Sequence, residues 1–244
     1  MSLKKIARYP VKGLPAISLS EVALEAGEQL PGDRRFAFWR GDDPPESGRS
    51  PHMRRFNFRQ VADDNRLAAL RATSSEPAQL TVMAPDGAQV SADLEKPEGR
   101  AALAEWISAY LGIPTPALLE SIGGQGFTDI GDKTLSLINL NSVADLSERA
   151  GHAIEPERMR GNLYVEIPAW SELDLIGQHI TVGGVVFEVD SRVKRCVATE
   201  VNYITGERDH PTPQTLMKNF GHADCGVYLR TVKSGTLRLG DPIG

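Results

Sequence analysis

The chain has 244 residues, 41% of them hydrophobic and 24% charged, with a formal net charge of −5. That length suits one large domain or two of ordinary size, and the composition is that of a soluble globular protein. The acidic balance argues against general nucleic-acid binding, two cysteines are too few for a disulfide framework, and no run approaches the ~20 apolar residues of a membrane span. No apolar leader-like run follows Met1-Ser2-Leu3-Lys4-Lys5, so a reducing cytoplasm with no membrane partner is the expected setting.

The first part reads as strand-rich, with Ile6 to Tyr9, Ser18 to Glu25 and Arg35 to Trp39 forming short runs between Pro and Gly signals. Arg40 to Arg55, which contains Gly41-Asp42-Asp43-Pro44-Pro45, reads as a surface loop. Residues 80–84 and 88–92 flank Pro85-Asp86-Gly87 and predict a hairpin, because Pro presets one turn dihedral and Gly accepts positive φ. Glu98 to Leu111 predicts a helix with Leu103, Trp106, Ile107, Tyr110 and Leu111 on its core face, and Gly112 and Pro114 stop it. The glycine-rich run 122–126 lacks the spacing of a P-loop or a dinucleotide fingerprint and reads as a domain junction.

Thr134 to Ile138 predicts a buried strand leading into a helix that starts near Asn141 or Ser142, either able to cap it, and ends at Gly151. Ile180 to Val182 and Val185 to Val189 are joined by Gly183-Gly184, a two-residue hairpin signal. Val193 to Val201 is the next expected strand, and Gly226 to Val232 and Thr236 to Leu239 close the set. Many short strands with few helices favour a barrel or a strongly curved sheet.

Within the run Arg192-Val193-Lys194-Arg195-Cys196-Val197-Ala198-Thr199, one thiol sits beside two cations. Positive charge lowers a thiol's pKa, and the thiolate attacks electrophiles or binds soft metals. The alternative is a small buried core residue, the usual fate of a free cysteine. Elsewhere, cations recur beside glycines and at expected strand ends: Lys12-Gly13, Gly32-Asp33-Arg34-Arg35, Arg59-Gln60 and Arg160-Gly161-Asn162. Together they are able to build an anion site, because Gly lets backbone N–H groups approach and Arg binds phosphate bidentately; singly, each reads as solvated surface charge. His222-Ala223-Asp224-Cys225 offers half of a zinc-like spacing without a second half, and Asp209-His210 reads as a solvated pair in a Pro-flanked loop.

Taken in order, Tyr9-Pro10-Val11-Lys12, Asp33-Arg34-Arg35-Phe36, Arg59-Gln60, Arg160 with Asn162, Cys196, Thr205-Gly206-Glu207, Phe220-Gly221, Gly226-Val227-Tyr228 and Gly240-Asp241-Pro242 resemble the MOSC superfamily, the molybdenum cofactor sulfurase C-terminal domains, preceded by a MOSC N-terminal β-barrel domain. Each landmark is short, but their order and spacing are specific and span nearly the whole chain. The resemblance implies a mainly β fold with some α (α+β), an N-terminal β-barrel-like domain over residues 1–120 packed on a MOSC β-barrel with a few helices over 121–244. Gly13 and Gly161 depart from the pattern, since close relatives often carry Ser and Pro there.

The two-domain arrangement is similar to the amidoxime-reducing component family. That resemblance implies molybdenum cofactor (molybdopterin), with no pyridoxal phosphate, and Cys196 as both catalytic residue and molybdenum ligand. Lys12, Arg34, Arg160, Asn162 and Arg195 are its implied cofactor contacts. The implied reaction is two-electron reduction of small N-hydroxylated or other N–O substrates. Two cysteines cannot hold a cluster needing four thiolates, so electrons are expected from a separate flavin or iron–sulfur protein. A second reading is a non-catalytic carrier in which Cys196 holds persulfide sulfur or the cofactor. A third is a β-barrel interaction module with Cys196 in its core.

Overall fold

The computed structural model describes residues 1–45, 55–74 and 78–244, so most of the expected 40–55 loop lies outside the described residues. The chain opens with strands β1 (Ser2–Arg8), β2 (Val11–Lys12), β3 (Ile17–Leu19), β4 (Glu21–Leu24) and β5 (Phe36–Phe38). Helix α1 (Arg66–Ala69) follows, then β6 (Arg71–Thr73), β7 (Gln79–Met83), β8 (Gln89–Asp93), helix α2 (Pro97–Leu111) and β9 (Leu118–Glu120). The second half runs β10 (Leu135–Asn139), α3 (Leu140–Ala150), β11 (Leu163–Glu166), β12 (His179–Val182), β13 (Val185–Lys194), α4 (Thr212–Phe220), β14 (Asp224–Lys233) and β15 (Gly235–Arg238). The fold is mainly β with a few helices, as expected. No described helix is long and apolar enough to cross a membrane.

The largest sheet has seven strands in the order β12-β13-β14-β10-β11-β1-β3, curled into a half-barrel. It is antiparallel except where β10 lies parallel to β11. Alternate residues explain how it buries both faces: Leu137, Leu163 and Val165 join one core with Phe187 and Leu229, while Ile138 and Tyr164 join another with Val143 and Leu146 of α3 and Leu216 of α4. β10 is covered on both faces and buried throughout, with Leu135, Leu137 and Ile138 as its apolar residues and Ser136 and Asn139 as buried polar ones. The first-half strands β6, β7 and β8 form a separate sheet against α2, around Leu80, Leu103 and Ile107. Pairing also crosses between the halves, since β1 and β3 belong to the large sheet and β4 pairs with β15.

Both predicted hairpins form, with Leu80 opposite Ala92 and Val182 opposite Val185, and α2 matches its predicted span with Gly112 as its left-handed cap. Three expectations need correction. The strand predicted over 18–25 is two strands, β3 and β4. Helix α3 is capped by Asn139, whose side chain accepts from Asn141 N at 3.1 Å, because β10 runs into the helix without a loop. The strand predicted over 193–201 stops at Lys194, and residues 197–200 form a 3-10 turn capped by Cys196. Thr199 causes this locally: its N–H and its hydroxyl both donate to the Cys196 carbonyl, at 3.0 and 2.8 Å, in place of a ladder bond.

Candidate functional site

Strand register and one long-range hydrogen bond, from Arg195 to the Met159 carbonyl, together assemble the site. Ile6 pairs with Leu163, Leu137 with Leu163, Ser136 with Tyr228 and Lys194 with Asp224. The C-terminal end of β1 therefore meets the N-terminal ends of β10 and β11 at one rim of the sheet, while the C-terminal end of β13 meets the N-terminal end of β14, which runs antiparallel to β10. The chain leaving β1 supplies Tyr9 and then Lys12, the turn entering β11 supplies Arg160 and Asn162, and the chain leaving β13 supplies Arg195 and Cys196. Arg34, just before β5, completes the group. All six residues expected from the sequence line one cavity of about 130 Å³.

Tyr9 organises two of the cations. Its ring lies 4.4 Å from the Arg34 guanidinium carbon and 4.6 Å from that of Arg160. Its backbone N–H donates to Asp33 Oδ1 at 2.8 Å, and the other Asp33 oxygen accepts from Arg34. Arg34 Nη2 then donates to the Arg160 carbonyl at 2.9 Å, and Arg160 Nη2 to the Leu14 carbonyl at 2.7 Å. Both arginines are left-handed, with φ of 49° and 50°, a conformation costing a non-glycine residue on the order of 1–2 kcal/mol. Burial lowers the Arg160 pKa and neighbouring Arg34 lowers it further. Arg34 is raised, Asp33 overcoming the effect of burial.

Lys12 is 6% exposed, and its ammonium donates to the Phe127 carbonyl at 3.0 Å and to Asp129 Oδ1 at 2.5 Å. Burial lowers its pKa, aided by Arg34 and Arg160 and opposed by Asp129. Burial would raise Asp129, but Lys12, Arg34 and Arg55 together hold it below the usual carboxylate value. Asp129 is the one acidic side chain lining the cavity among the described residues, and nothing in the sequence pattern marked it. Gly13 explains its own departure from the family pattern. Its φ is 88°, and an added Cβ would lie 2.9 Å from the Arg59 carbonyl oxygen.

Cys196 is half-buried in the cavity wall, followed by exposed Val197. Of the cations flanking it, Lys194 is exposed, whereas Arg195 is buried and acts as a clamp. Its Nε donates to the Cys225 carbonyl and its Nη1 to the Met159 carbonyl, both at 2.7 Å. That clamp ties the end of β13 to the turn that presents Arg160. Asn162 also acts inward: its side-chain oxygen accepts from Ser136 N and Oγ at 3.1 Å, and its amide donates to the Ala7 carbonyl at 3.2 Å. It thereby ties together β1, β10 and the entry to β11.

Residues outside the set are mostly structural. Cys225 is fully buried, and burial pushes its thiol up to about 12. Half-buried His222 accepts from Asp224 N at 3.1 Å, and no group of three or more His, Cys, Asp or Glu among the described residues is placed to hold a metal ion. Asp209 is exposed, as the loop reading expects, but it is also ion-paired. It takes two bonds from Arg158, at 2.5 and 3.0 Å, and Arg158, whose side chain is fully buried, also binds Glu155. Arg158 was invisible as a site-supporting residue because its partner lies 51 positions away.

The MOSC N-terminal beta barrel domain family matches residues 1–114 and the MOSC domain family residues 115–244. The chain is 27% identical over 146 residues to molybdenum cofactor sulfurase of Drosophila yakuba, covering 56% of this chain and 18% of that protein. It thus spans less than a fifth of that relative. It is 24% identical over 287 aligned positions to mitochondrial amidoxime reducing component 2 of Rattus norvegicus, covering 99% of this chain and 82% of that protein. The crystal structure of YuaD from Bacillus subtilis aligns with a TM-score of 0.48 at 12% identity, over 100% of this chain and 94% of that one. With the two family matches meeting end to end, the chain belongs to the MOSC family, a MOSC domain preceded by a MOSC N-terminal β-barrel domain.

Proposed function

We propose that the rim cavity holds molybdenum cofactor, with Cys196 as the protein thiolate on the metal, and that the protein reduces N-hydroxylated or other N–O substrates by two electrons. The carrying observation is the convergence of Lys12, Arg34 and Arg160 on a cavity whose wall contains Cys196, in a chain that is acidic overall. Asp129 and Asp33 pair with Lys12 and Arg34, but Arg160 has no carboxylate within salt-bridge distance among the described residues, so the wall keeps a positive charge that a phosphate-bearing pterin would offset. A metal at Cys196 must bring most of its own ligands, since no carboxylate, imidazole or thiol cluster surrounds it among the described residues; a dithiolene does so.

Each residue then has a task. Lys12, Arg34 and Arg160 bind the anionic and pterin groups, Tyr9 orients the two guanidiniums, and Arg195 and Asn162 hold the strand ends in place. Asp129 holds Lys12 at 2.5 Å in this cavity, so an anionic group reaching Lys12 competes with that carboxylate. When bound, the cofactor supplies a metal that cycles through two electrons and accepts an oxygen atom. Overall, R–NHOH, two electrons and two protons give R–NH2 and water. The electrons come from a separate flavin or iron–sulfur protein.

A second reading, suggested by the sulfurase relatives, is that Cys196 carries persulfide sulfur or cofactor to another protein. The observation favouring it is the position of Cys196 beside Val197, 47% exposed, where a partner can reach. Molybdenum analysis after expression in a cofactor-producing host separates the two. Near-stoichiometric metal lost in Cys196→Ala, with reduction of hydroxylamines, amidoximes or N-oxides by an artificial donor, supports the reductase. Cyanide-releasable sulfur on Cys196 without molybdenum supports the carrier. Loaded protein that reduces none of these substrates overturns the first reading.

A further inference from the structure

A second, larger cavity of about 410 Å³ backs onto the first, sharing Val61, Arg158, Arg160 and Ala198 with it. Its walls come from both halves of the chain, and Ile17, Val61, Ala68, Ala72 and Val201 give it an apolar body. Exposed Ser18 and Thr73 mark its mouth. The size falls within the range of small-molecule sites, and an apolar chamber with a few polar groups is their usual construction.

The charges in the wall identify the occupant. Lys5 is neutralised by Glu157 at 2.8 Å, and Arg158 by Glu155 and Asp209. Arg71 and Arg160 are different: among the described residues, neither has a carboxylate within salt-bridge distance. Arg71 Nη1 donates to the carbonyls of Ala69, Leu70 and Tyr203, and its guanidinium lies 4.9 Å from the Tyr203 ring centroid. These contacts fix the guanidinium and leave Nε and Nη2 without an acceptor among the described residues. With Arg160 assigned to the first cavity, an apolar chamber with one anchored but uncompensated guanidinium, that of Arg71, suits a monoanion with an apolar body.

We infer that this cavity is a binding site for an amphipathic organic monoanion, an apolar chain or ring ending in one carboxylate, with Arg71 as its anion anchor. The occupant lies against the far side of the wall that carries Arg160. The site stands apart from the proposed cofactor chemistry, because Cys196 lines the first cavity and not this one.

Isothermal titration of the purified full chain with decanoate and with decanol tests this. Saturable binding of one decanoate is expected, with decanol weaker by about tenfold or more. Arg71→Gln lowers decanoate affinity to near that of decanol, and Ala72→Phe, which fills the chamber while keeping the charge, abolishes binding of both. Circular dichroism establishes that each variant is folded; should Arg71→Gln fail to fold, the decanoate-to-decanol ratio and Ala72→Phe decide. No saturable decanoate binding, equal affinity for the two ligands, or decanoate affinity unchanged in folded Ala72→Phe overturns the inference. Molybdenum content is no part of the readout, so failure here leaves the proposed function standing.

Discussion

Arg34 and Arg160, 126 positions apart in sequence, approach the one ring of Tyr9, and Arg34 donates to the Arg160 carbonyl at 2.9 Å. The aromatic ring and Asp33 hold two like charges together in a partly buried wall. An anion arriving there finds its cations already oriented, and little side-chain freedom is lost on binding.

That arrangement makes Tyr9 a positioning residue. Tyr9→Leu removes both cation–π contacts, each about 0.5–1 kcal/mol, and phosphate affinity measured by titration should fall by about five- to thirtyfold. Tyr9→Phe keeps the ring and loses only the hydroxyl contact with Tyr164, so its phosphate affinity should match wild type. Its melting temperature should drop in line with a lost hydrogen bond of about 0.5–1.5 kcal/mol. Equal phosphate affinity in Tyr9→Leu and wild type would remove Tyr9 from the site.

Asp129 occupies the place of an anion on Lys12, so its removal should help a true anion bind. Asp129→Asn is expected to raise phosphate affinity at neutral pH by about fivefold, through loss of roughly 1 kcal/mol of like-charge repulsion. The pH profile changes in a defined direction. Burial already lowers the Lys12 pKa, and Asp129 opposes that lowering. Without Asp129, Lys12 loses its proton at a lower pH, and anion binding should fade earlier on the alkaline side than in wild type. A parallel profile in the two proteins would show that Lys12 does not bind the anion.

Asp209 predicts an acid-side loss of stability. Hydrogen bonds from Arg158 pull its pKa from 3.8 to about 2, with a smaller contribution from Asn202. A carboxylate whose folded pKa is depressed stabilises the fold fully above its unfolded pKa, near 3.9, and that contribution is lost as pH falls through about 2. With the side chain 26% exposed, screening leaves about 1–2 kcal/mol. Urea melts between pH 5 and pH 2 should show this slope in wild type and a flatter one in Asp209→Asn. His210 adds to the same acid side in a higher window. Burial lowers its pKa, and charge repulsion from His152, whose ring centroid is 4.9 Å away, lowers it further, so stability should begin to fall below the unfolded histidine value near 6.5.

What the sequence showed and what it hid follow from the range of each signal. The 80–92 hairpin, the 182–185 hairpin and α2 are legible because turn residues and periodicity act within a few positions. The run 193–201 reads as a strand, but the N–H and hydroxyl of Thr199 both bond back to the Cys196 carbonyl and turn the chain instead. The site residues were legible as family landmarks, yet neither the registers that bring Tyr9 to Arg160 nor the Arg195 bond that brings in Cys196 has a local signature. Nor do the long-range pairs Lys12–Asp129 and Arg158–Asp209, which depend on the closed fold.

Gly161 offers a test of packing at the site that is independent of charge. Its φ is not in the left-handed region, so the backbone tolerates other residues, but an added Cβ would lie 2.3 Å from Ile138 Cγ1. Ile138 is fully buried and fills the space a side chain at 161 would need. Gly161→Ala should therefore cost about 1–3 kcal/mol by overpacking, and Ile138→Ala alone about 2–5 kcal/mol by leaving a cavity. Combined, the two changes relieve one another, because the methyl gained at 161 occupies part of the space vacated at 138. A double-mutant cycle in urea should give a favourable coupling of about 1 kcal/mol or more. Strict additivity would mean that this turn relaxes freely, and that Arg160 is held by Arg34, Arg195 and Tyr9 without help from the packing beneath it.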